Sequence, residues 1–224
     1  MDRSAYFQYA DGSKFQGKKT EEVFKDIQSQ NYWEHQESVS GPGSSMEQTA
    51  EIRKRLPELF QQLKIKTILD IPCGDFNWMR HIITSDLKYT GADIVKNLVY
   101  TNNSSYQSHN IHFENLDLLI DDLGKFDLIF CRDCLVHLSN VDIKKAINNI
   151  VKSGSTYLVT TSFPEEKKNK DIPTGGWRPL DFEKPPFNFP KAVLLINEKC
   201  TEGEGLFIDK SLGVWEIAKL KQIH

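Results

Sequence analysis

The sequence predicts a doubly wound α/β fold, and three observations support this prediction. A short apolar run, Thr67 to Asp70, ends in an acid and continues into a glycine-containing turn and a segment that can start a helix. A second strand-like run ends in Asp93, roughly 20 residues past the turn, the separation found in nucleotide-binding α/β sheets. The clearest buried strand, 126–132, is followed by a helical face over 142–152.

Composition and charge restrict the class of protein. The 224 residues, 39% of them hydrophobic and 26% charged, suffice for one domain of a soluble globular protein. The net charge of -3 gives no reason to expect a nucleic-acid partner, and no apolar run approaches the roughly 20 residues of a membrane span. The polar start lacks the apolar core of a signal peptide, so we expect a cytoplasmic protein with four reduced cysteines. The sequence leaves the oligomeric state open.

The N-terminal part differs in character from the rest. Residues 1–45 are polar and rich in aromatic side chains, with little periodicity. Two interpretations are open: a loosely packed extension, or a cap whose aromatic side chains cover an apolar site. We divide the chain into this cap segment, 1–45, and a catalytic domain, 46–224. At the boundary, Gly41 to Ser45 forms a flexible hinge or an anion-receptive loop.

The domain begins with a predicted helix. The capping-box spacing from Ser45 to Gln48 predicts a helix start there. Apolar side chains keep helical spacing from Ile52 to Leu63. Pro57 lies inside this pattern, so we expect a kink or a restart of the helix at that point.

The remaining elements alternate between strands and helices. The strands predicted after the first cover 89–94, 111–114, 126–132, 156–161, 192–197 and 213–218. A short helix is expected at 78–83, and Ser139 can cap the helix over 142–152. A glycine-rich turn, 202–205, separates the last two strands, which can therefore pair antiparallel.

The segment 162–191 is unusual because it holds six of the nine prolines, which excludes a regular helix over most of its length. Long loops without regular structure in compact domains are usually functional. This segment follows a strand and starts at the same edge of the sheet as the glycine turn. We therefore interpret it as a substrate loop, with a plain surface loop as the alternative.

The stretch from Thr67 to Trp78 resembles motif I of the class I S-adenosylmethionine-dependent methyltransferases, an acid followed by x-Gly-x-Gly-x-Gly. Pro72 replaces the first glycine of that motif and Phe76 the third, and Gly74 is retained. Because glycine has no Cβ, the backbone can approach a ligand closely at this position.

The segment after the strand 126–132, with an acid at Asp133 and His-Leu four residues on, resembles the corresponding segment of the same methyltransferases. The resemblance covers about residues 45–220. It implies a Rossmann-like sheet of seven mostly parallel strands with an antiparallel last strand, helices on both faces, and S-adenosyl-L-methionine as the cofactor.

The resemblance also implies cofactor contacts. Asp70 can accept hydrogen bonds from an ammonium group, Asp93 can hold ribose hydroxyls, and Asp117 with its neighbour can meet the adenine. The acid-rich run 117–122 is equally compatible with a solvated loop. The predicted cofactor-binding residues are Asp70, Pro72, Cys73, Gly74, Asp75, Trp78, Asp93, Ile94, Asp117, Leu118, Cys131 and Arg132.

His137 and Asp133 are the predicted catalytic residues. Methyl transfer from a sulfonium is an in-line displacement, and a hydroxyl acceptor benefits from a nearby general base, for which histidine has a suitable pKa. A packing role for His137 is also open. A zinc site made of Cys131, Cys134 and His137, with Cys73 as a fourth ligand, is the alternative. It would collide with the expected cofactor, and we predict no metal.

The predicted substrate-binding residues lie in the substrate loop. Arg178 can bind a carboxylate or phosphate, Trp177 can stack on a sugar, Asp181 can bind hydroxyls, and Phe187 can stiffen the wall. The arrangement is similar to small methyltransferases among polysaccharide-building enzymes. That similarity implies a small-molecule partner, a sugar or nucleotide-linked sugar, that is methylated on oxygen.

Two other functions remain open. An NAD(P)-dependent oxidoreductase would use the same turn and Asp93, but normally keeps more glycines in the turn. A non-catalytic S-adenosylmethionine-binding protein would keep the donor site and lack an ordered acceptor pocket.

Overall fold

One sheet of seven strands forms the centre of the computed structural model, which describes residues 12–221. The strands are β1 (Thr67–Asp70), β2 (Lys88–Asp93), β3 (Ile111–Asn115), β4 (Leu128–Cys131), β5 (Tyr157–Ser162), β6 (Leu194–Asn197) and β7 (Ser211–Glu216). Their order is β3-β2-β1-β4-β5-β7-β6. The first five strands are parallel, and β7 is antiparallel to both β5 and β6. The predicted Rossmann-like sheet is confirmed.

Within residues 12–221, four α-helices accompany the sheet: α1 (Thr20–Ser29), α2 (Ala50–Gln62), α3 (Lys96–Tyr106) and α4 (Asn140–Lys152). Successive residues of a strand point to opposite faces of the sheet, and the two faces are covered by different helices. Leu69 of β1 packs in one cluster with Ile147 of α4, whereas Ile68 packs in a second cluster with Leu56 of α2. Helices therefore lie on both faces, as predicted.

The start of α2 differs from the prediction. The helix begins at Ala50, and Ser45 instead accepts a hydrogen bond from the N–H of Gln48 (3.2 Å) in a turn that precedes it. The helix also continues through Pro57 without a restart. Its apolar side is buried on both sides of the proline, at Ile52, Leu56 and Leu59, and this burial keeps the segment in one helix.

Other boundaries shift by a few residues. The predicted helix at 78–83 is a single 3-10 turn, Met79–His81, and α3 was missed by the sequence analysis. The buried side of α3 includes a polar residue, Asn102, which interrupts the apolar pattern that would otherwise indicate a helix. The last strand begins at Ser211, two residues before the predicted position.

The proline-rich segment contains no helix or strand between β5 and β6, yet much of it is buried. Phe182 and Phe189 pack on Trp215 of β7, with ring centroids 6.3 and 5.4 Å from the indole. The indole N–H donates to the carbonyl of Pro190 (2.9 Å). Aromatic packing, and not regular secondary structure, therefore fixes this loop on the sheet.

The described part of the N-terminal segment, 12–45, is folded against the domain. Phe15, Val23 and Ile27 form a small buried cluster, which Tyr32 and Trp33 also join. Residues 1–11 of the predicted cap lie outside the described residues. The packing of 12–45 favours the cap interpretation over a loose extension.

Candidate active site

A cavity of about 470 Å³ lies at the carboxyl ends of β1, β2 and β4. Between β1 and β4 the strand order reverses, and ligands of open α/β sheets bind outside the strand ends at such a point. The volume is within the usual range for small-molecule sites. The predicted residues that line the cavity are Asp70, Pro72, Cys73, Gly74, Asp75, Trp78, Asp93, Ile94, Asp117, Leu118, Arg132, Asp133, His137 and Trp177.

The glycine turn is built by hydrogen bonds to its backbone. Gly74 has φ 55°, in the left-handed region that favours glycine. Its N–H donates to Asp93 Oδ2 (3.1 Å), and its carbonyl accepts from the side-chain amide of Asn102 on α3 (2.7 Å). Asp93 Oδ1 accepts from the N–H of Val95 (2.9 Å). The end of β2 and the turn after β1 are therefore one unit.

Two buried carboxyl groups stand at the strand ends. Asp70 accepts a hydrogen bond from the hydroxyl of Tyr89 (2.6 Å), and burial raises the pKa of Asp70 to about 7. Burial likewise raises the pKa of Asp93 to about 6, despite the two N–H donors. A low-dielectric site disfavours the ionised carboxylate, so a cationic ligand group would restore the charge of Asp70.

A loop from the N-terminal segment covers this turn. Asp75 accepts hydrogen bonds from the Ser38 hydroxyl (3.0 Å) and the Val39 N–H (3.0 Å). The side-chain amide of Asn77 donates to the carbonyl of Ser44 (3.1 Å). We call residues 38–44 the covering loop, because several of them line the cavity and lie on the glycine turn.

Five charged side chains form a cluster at the cavity, here called the charge cluster. Arg132 pairs with Glu198 (2.6 Å) and with Asp133 (3.2 Å). Lys210 of the β6–β7 connection pairs with Asp133 (2.7 Å) and more loosely with Glu202 (4.0 Å). Arg132 Nη2 also donates to the carbonyl of Gly43 in the covering loop (2.8 Å). Three carboxylates surround two cations in this cluster, so each charge lies beside an opposite one, as buried charges require.

Asp133 is a weak base in this setting. The Arg132 guanidinium and the Lys210 ammonium hold the pKa of its carboxyl well below the usual range, against the effect of burial. Its remaining oxygen accepts from the Thr161 hydroxyl (3.1 Å). Its backbone has φ 50°, an uncommon conformation for a residue other than glycine. These contacts favour a role in holding charge over the predicted role in taking a proton.

His137 is suited to proton transfer. Its Nδ1 lies 2.8 Å from the carbonyl oxygen of Gly176, and because a carbonyl only accepts, Nδ1 carries the proton. In the neutral ring, Nε2 is then the acceptor. Burial lowers the pKa of His137, while Asp133 acts in the opposite direction. The side chain is partly buried and lines the cavity.

Three predicted substrate-binding residues lie away from the cavity. The guanidinium of Arg178 is buried and donates to the carbonyls of Leu135 (3.0 Å) and Val136 (2.9 Å), so it anchors the segment before His137. Asp181 is buried and pairs with Lys184 (2.7 Å).

Phe187 packs in the hydrophobic core, where its ring centroid lies 5.1 Å from that of Phe182. Cys131, predicted to bind cofactor, is also fully buried in that core, because its side chain points to the face covered by α4. The structure therefore places Arg178, Asp181, Phe187 and Cys131 outside the cavity, with contacts that favour structural roles over the predicted ligand-binding ones.

The structure adds site residues that the sequence analysis missed. Trp33 packs against His137 in a tilted arrangement, with ring centroids 5.3 Å apart and an interplanar angle of 40°. Asn102 and Lys210 support the glycine turn and the charge cluster. Trp33 and Lys210 come from parts of the chain far from the motifs, and Asn102 lies in the helix that follows β2. The aromatic content of the N-terminal segment was the one available signal for Trp33.

Residues 12–221 hold no group of three or more His, Cys, Asp or Glu side chains arranged for a metal ion. Over the same range, no helix has the length and apolar character needed to cross a bilayer. The cysteines of the predicted alternative site, Cys73, Cys131 and Cys134, are free thiols.

A family model described as a methyltransferase domain matches residues 69–153, which hold the glycine turn, Asp93, Asp133 and His137. No curated protein matches the chain in sequence.

Solved structures share the fold. PigF with SAH is 13% identical, with a TM-score of 0.61 over 96% of this chain and 68% of PigF. Human N-acetylserotonin methyltransferase in complex with SAM is 11% identical, with a TM-score of 0.52 over 90% of this chain and 68% of the human protein. A candidate O-methyltransferase of Nostoc punctiforme is 13% identical, with a TM-score of 0.55 over 75% of this chain and 56% of that protein.

At these identities the likeness establishes the fold. The chain spans between 44% and 68% of the length of several solved structures that it matches.

Proposed function

We propose that the chain is a class I S-adenosylmethionine-dependent methyltransferase and that it methylates a hydroxyl group of a small molecule, with a sugar or nucleotide-linked sugar as the leading acceptor. The observation that carries this proposal is His137. Its ring lines the cavity, and its Nδ1 proton is already committed to the carbonyl of Gly176. Nε2 is thus available to accept a proton from an acceptor hydroxyl.

The polar side chains that line the cavity are suited to bind the expected cofactor. S-adenosylmethionine supplies a methyl group that is already activated by its positive sulfur. Asp70 would accept from the ammonium group, Asp93 would hold ribose hydroxyls, and Asp117 with Leu118 would meet the adenine. Gly74 lets the backbone approach the ligand, as its conformation at φ 55° permits.

The residues of this chain have separable roles in the proposed reaction. The covering loop and the strand ends hold and shield the donor, because they enclose the same cavity. His137 takes the acceptor proton as the oxygen attacks, and Asp133 stabilises the resulting imidazolium through space. Most of the rate enhancement then comes from alignment of the two reactants, as is usual when the donor is already activated.

A carbohydrate acceptor is supported by the mixture of side chains near His137. Trp177 lines the cavity and offers aromatic surface for the apolar side of a sugar ring, and Trp33 lines it beside His137. Asp133 and Glu202 line it as well and can accept hydrogen bonds from hydroxyls. A role in polysaccharide biosynthesis in the cytoplasm is part of this proposal.

Two experiments test the proposal in sequence. Calorimetric titration with S-adenosylhomocysteine and with NAD should show binding of the first only. NAD binding without S-adenosylhomocysteine binding would favour the oxidoreductase alternative.

Transfer of a labelled methyl group from S-adenosylmethionine is then measured against sugars, nucleotide sugars, phenols and primary amines. We expect product with hydroxyl-bearing sugars. Methylation of amines alone would contradict the hydroxyl assignment. Tight donor binding without turnover on any class would favour a non-catalytic binding protein.

A further inference from the structure

The imidazole of His137 is held by two different parts of the chain. On one side, Gly176 accepts the hydrogen bond from Nδ1 (2.8 Å), and the N–H of Gly175 donates to the His137 carbonyl (2.8 Å). On the other side, the indole of Trp33 packs against the ring, with centroids 5.3 Å apart. The hydrogen bond fixes the tautomer, and the indole restricts rotation of the ring.

The Gly175–Gly176 turn is itself supported by the N-terminal segment. A Cβ atom at Gly175 would lie 2.5 Å from the ring of Phe15 and 2.7 Å from Val23. A Cβ atom at Gly12 would lie 2.6 Å from the backbone nitrogen of Gly176. The N-terminal segment thus packs directly on the backbone of the turn, with no room for a side chain between them.

The same segment continues into the covering loop at the donor side of the cavity. A Cβ atom at Gly41 would lie 3.2 Å from Cβ of Trp33, so the loop packs on the indole. Ser40 lies so close to Gly74 that any Cβ there would clash with its hydroxyl. The backbone from Trp33 to Ser40 therefore joins the ring that contacts His137 to the residue that covers the glycine turn.

We propose that Trp33 is a positioning residue for His137, and that the covering loop links occupancy of the donor site to the placement of this ring. The inference rests on the proposed role of His137 as the base. It goes beyond that role because it assigns a residue of the N-terminal segment to the acceptor chemistry. The N-terminal segment would then have a second role, the positioning of His137, besides shielding the donor.

The test observes His137 directly and needs no acceptor. Long-range proton–nitrogen NMR correlations report the tautomer and pKa of each histidine, and the His137→Gln variant assigns the signal. In the wild type we expect the Nδ1–H tautomer and a pKa below the ordinary value of about 6.5. In Trp33→Leu we expect a mixture of tautomers and a pKa higher by about half a unit or more, because water reaches the ring.

The charged groups that act on His137 are Asp133, Arg178 and Lys210, and the substitution leaves all three in place. Trp33→Phe keeps an aromatic face and should restore most of the wild-type behaviour. Tyr32→Leu is the matched control, since Tyr32 packs on Phe15 (5.8 Å) in the same segment. It should loosen the cap and leave the His137 signals near those of the wild type.

Addition of S-adenosylhomocysteine tests the link to the donor site. In the wild type and Trp33→Phe it should sharpen the His137 signals and slow reaction of this histidine with diethyl pyrocarbonate. In Trp33→Leu the same ligand should bind with little effect on either measurement.

Unchanged tautomer and pKa in Trp33→Leu would overturn the proposal. So would equal changes in Trp33→Leu and Tyr32→Leu, because general loosening of the cap would then explain both. A failure of the methyl-transfer screen would leave these measurements interpretable, so the two proposals can fail independently.

Discussion

Gly74 and Asp93 are joined directly, because the backbone N–H of the glycine donates to a carboxylate oxygen of the acid at 3.1 Å. The same carboxylate accepts the N–H of Val95 (2.9 Å). The acid predicted to hold ribose hydroxyls therefore also builds the turn that faces the donor. Substitution of Asp93 would remove the support of the turn together with the proposed ribose contact.

We expect Asp93→Ala to weaken binding of S-adenosylhomocysteine by about 1–3 kcal/mol, the cost of leaving buried hydrogen-bonding partners unpaired. Calorimetric titration gives the dissociation constant, and thermal unfolding confirms that the variant is folded. His137→Gln serves as the control, since its donor site is intact. An unchanged dissociation constant in folded Asp93→Ala would remove this residue from the donor site.

Donor affinity should rise with pH up to about neutrality. Burial raises the pKa of Asp70 to about 7, and a bound ammonium group favours the ionised carboxylate. Binding therefore releases a proton below the pKa, and affinity for S-adenosylhomocysteine should be about tenfold lower at pH 6 than at pH 8. Titrations across this range measure the slope. In Asp70→Asn, the affinity should depend only weakly on pH. An unchanged pH dependence in that variant would mean that another group releases the proton.

His137→Ala and His137→Gln should each lower turnover by about 10²–10⁴-fold, because the acceptor proton loses its base. Donor affinity should hardly change. The pH–rate profile of the wild type should rise through the pKa of His137, which burial places below its ordinary value. If the Gln variant keeps full activity, His137 has a packing role and alignment alone carries the reaction.

Gly74→Ala should damage the covering loop. The new methyl group would occupy the space of the Ser40 hydroxyl, and the positive φ adds about 1–2 kcal/mol of backbone strain. We expect weaker donor binding and faster proteolysis within 38–44. Adding Ser40→Ala should recover part of the affinity, whereas no recovery would mean that backbone strain alone is responsible.

Arg178→Met should lower the stability of the folded protein. The substitution leaves buried carbonyls of Leu135 and Val136 without donors, and we expect the free energy of unfolding to fall by about 3 kcal/mol. Urea unfolding measures this change. Arg55→Met, at an exposed i,i+3 pair, is the matched control and should change stability by less than about 0.5 kcal/mol. A raised KM with unchanged stability would instead support substrate binding by Arg178.

The parts of the fold that depend on local patterns could be predicted from the sequence. The apolar runs that end in Asp70 and Asp93 identify β1 and β2, and the buried run before Asp133 identifies β4. Helix α3 could not be predicted in the same way, because Asn102 is buried in it to hold the glycine turn. A polar residue that supports the glycine turn therefore interrupts the apolar periodicity by which the helix could be recognised.

The acceptor side of the cavity was harder to predict because its members are distant in sequence. Trp177 lines the cavity, whereas its neighbour Arg178 is turned inward to backbone carbonyls. Adjacent residues in an irregular loop point in directions that no periodicity specifies. The contact of Trp33 with His137 depends on the packing of the whole N-terminal segment, which has no strong local pattern.

The proline-rich segment has its anchor and its cavity-facing turn at different places. Phe182 and Phe189 fix one end on Trp215, while Gly176 and Trp177 face the cavity. Because the two parts share no side chain, Trp177 can be replaced without loss of the anchor, while Gly175 and Gly176 stay fixed by the N-terminal segment. Substitutions at Trp177 can therefore change the acceptor preference while the sheet and the donor site stay the same. Directed evolution of the acceptor preference can begin at this position.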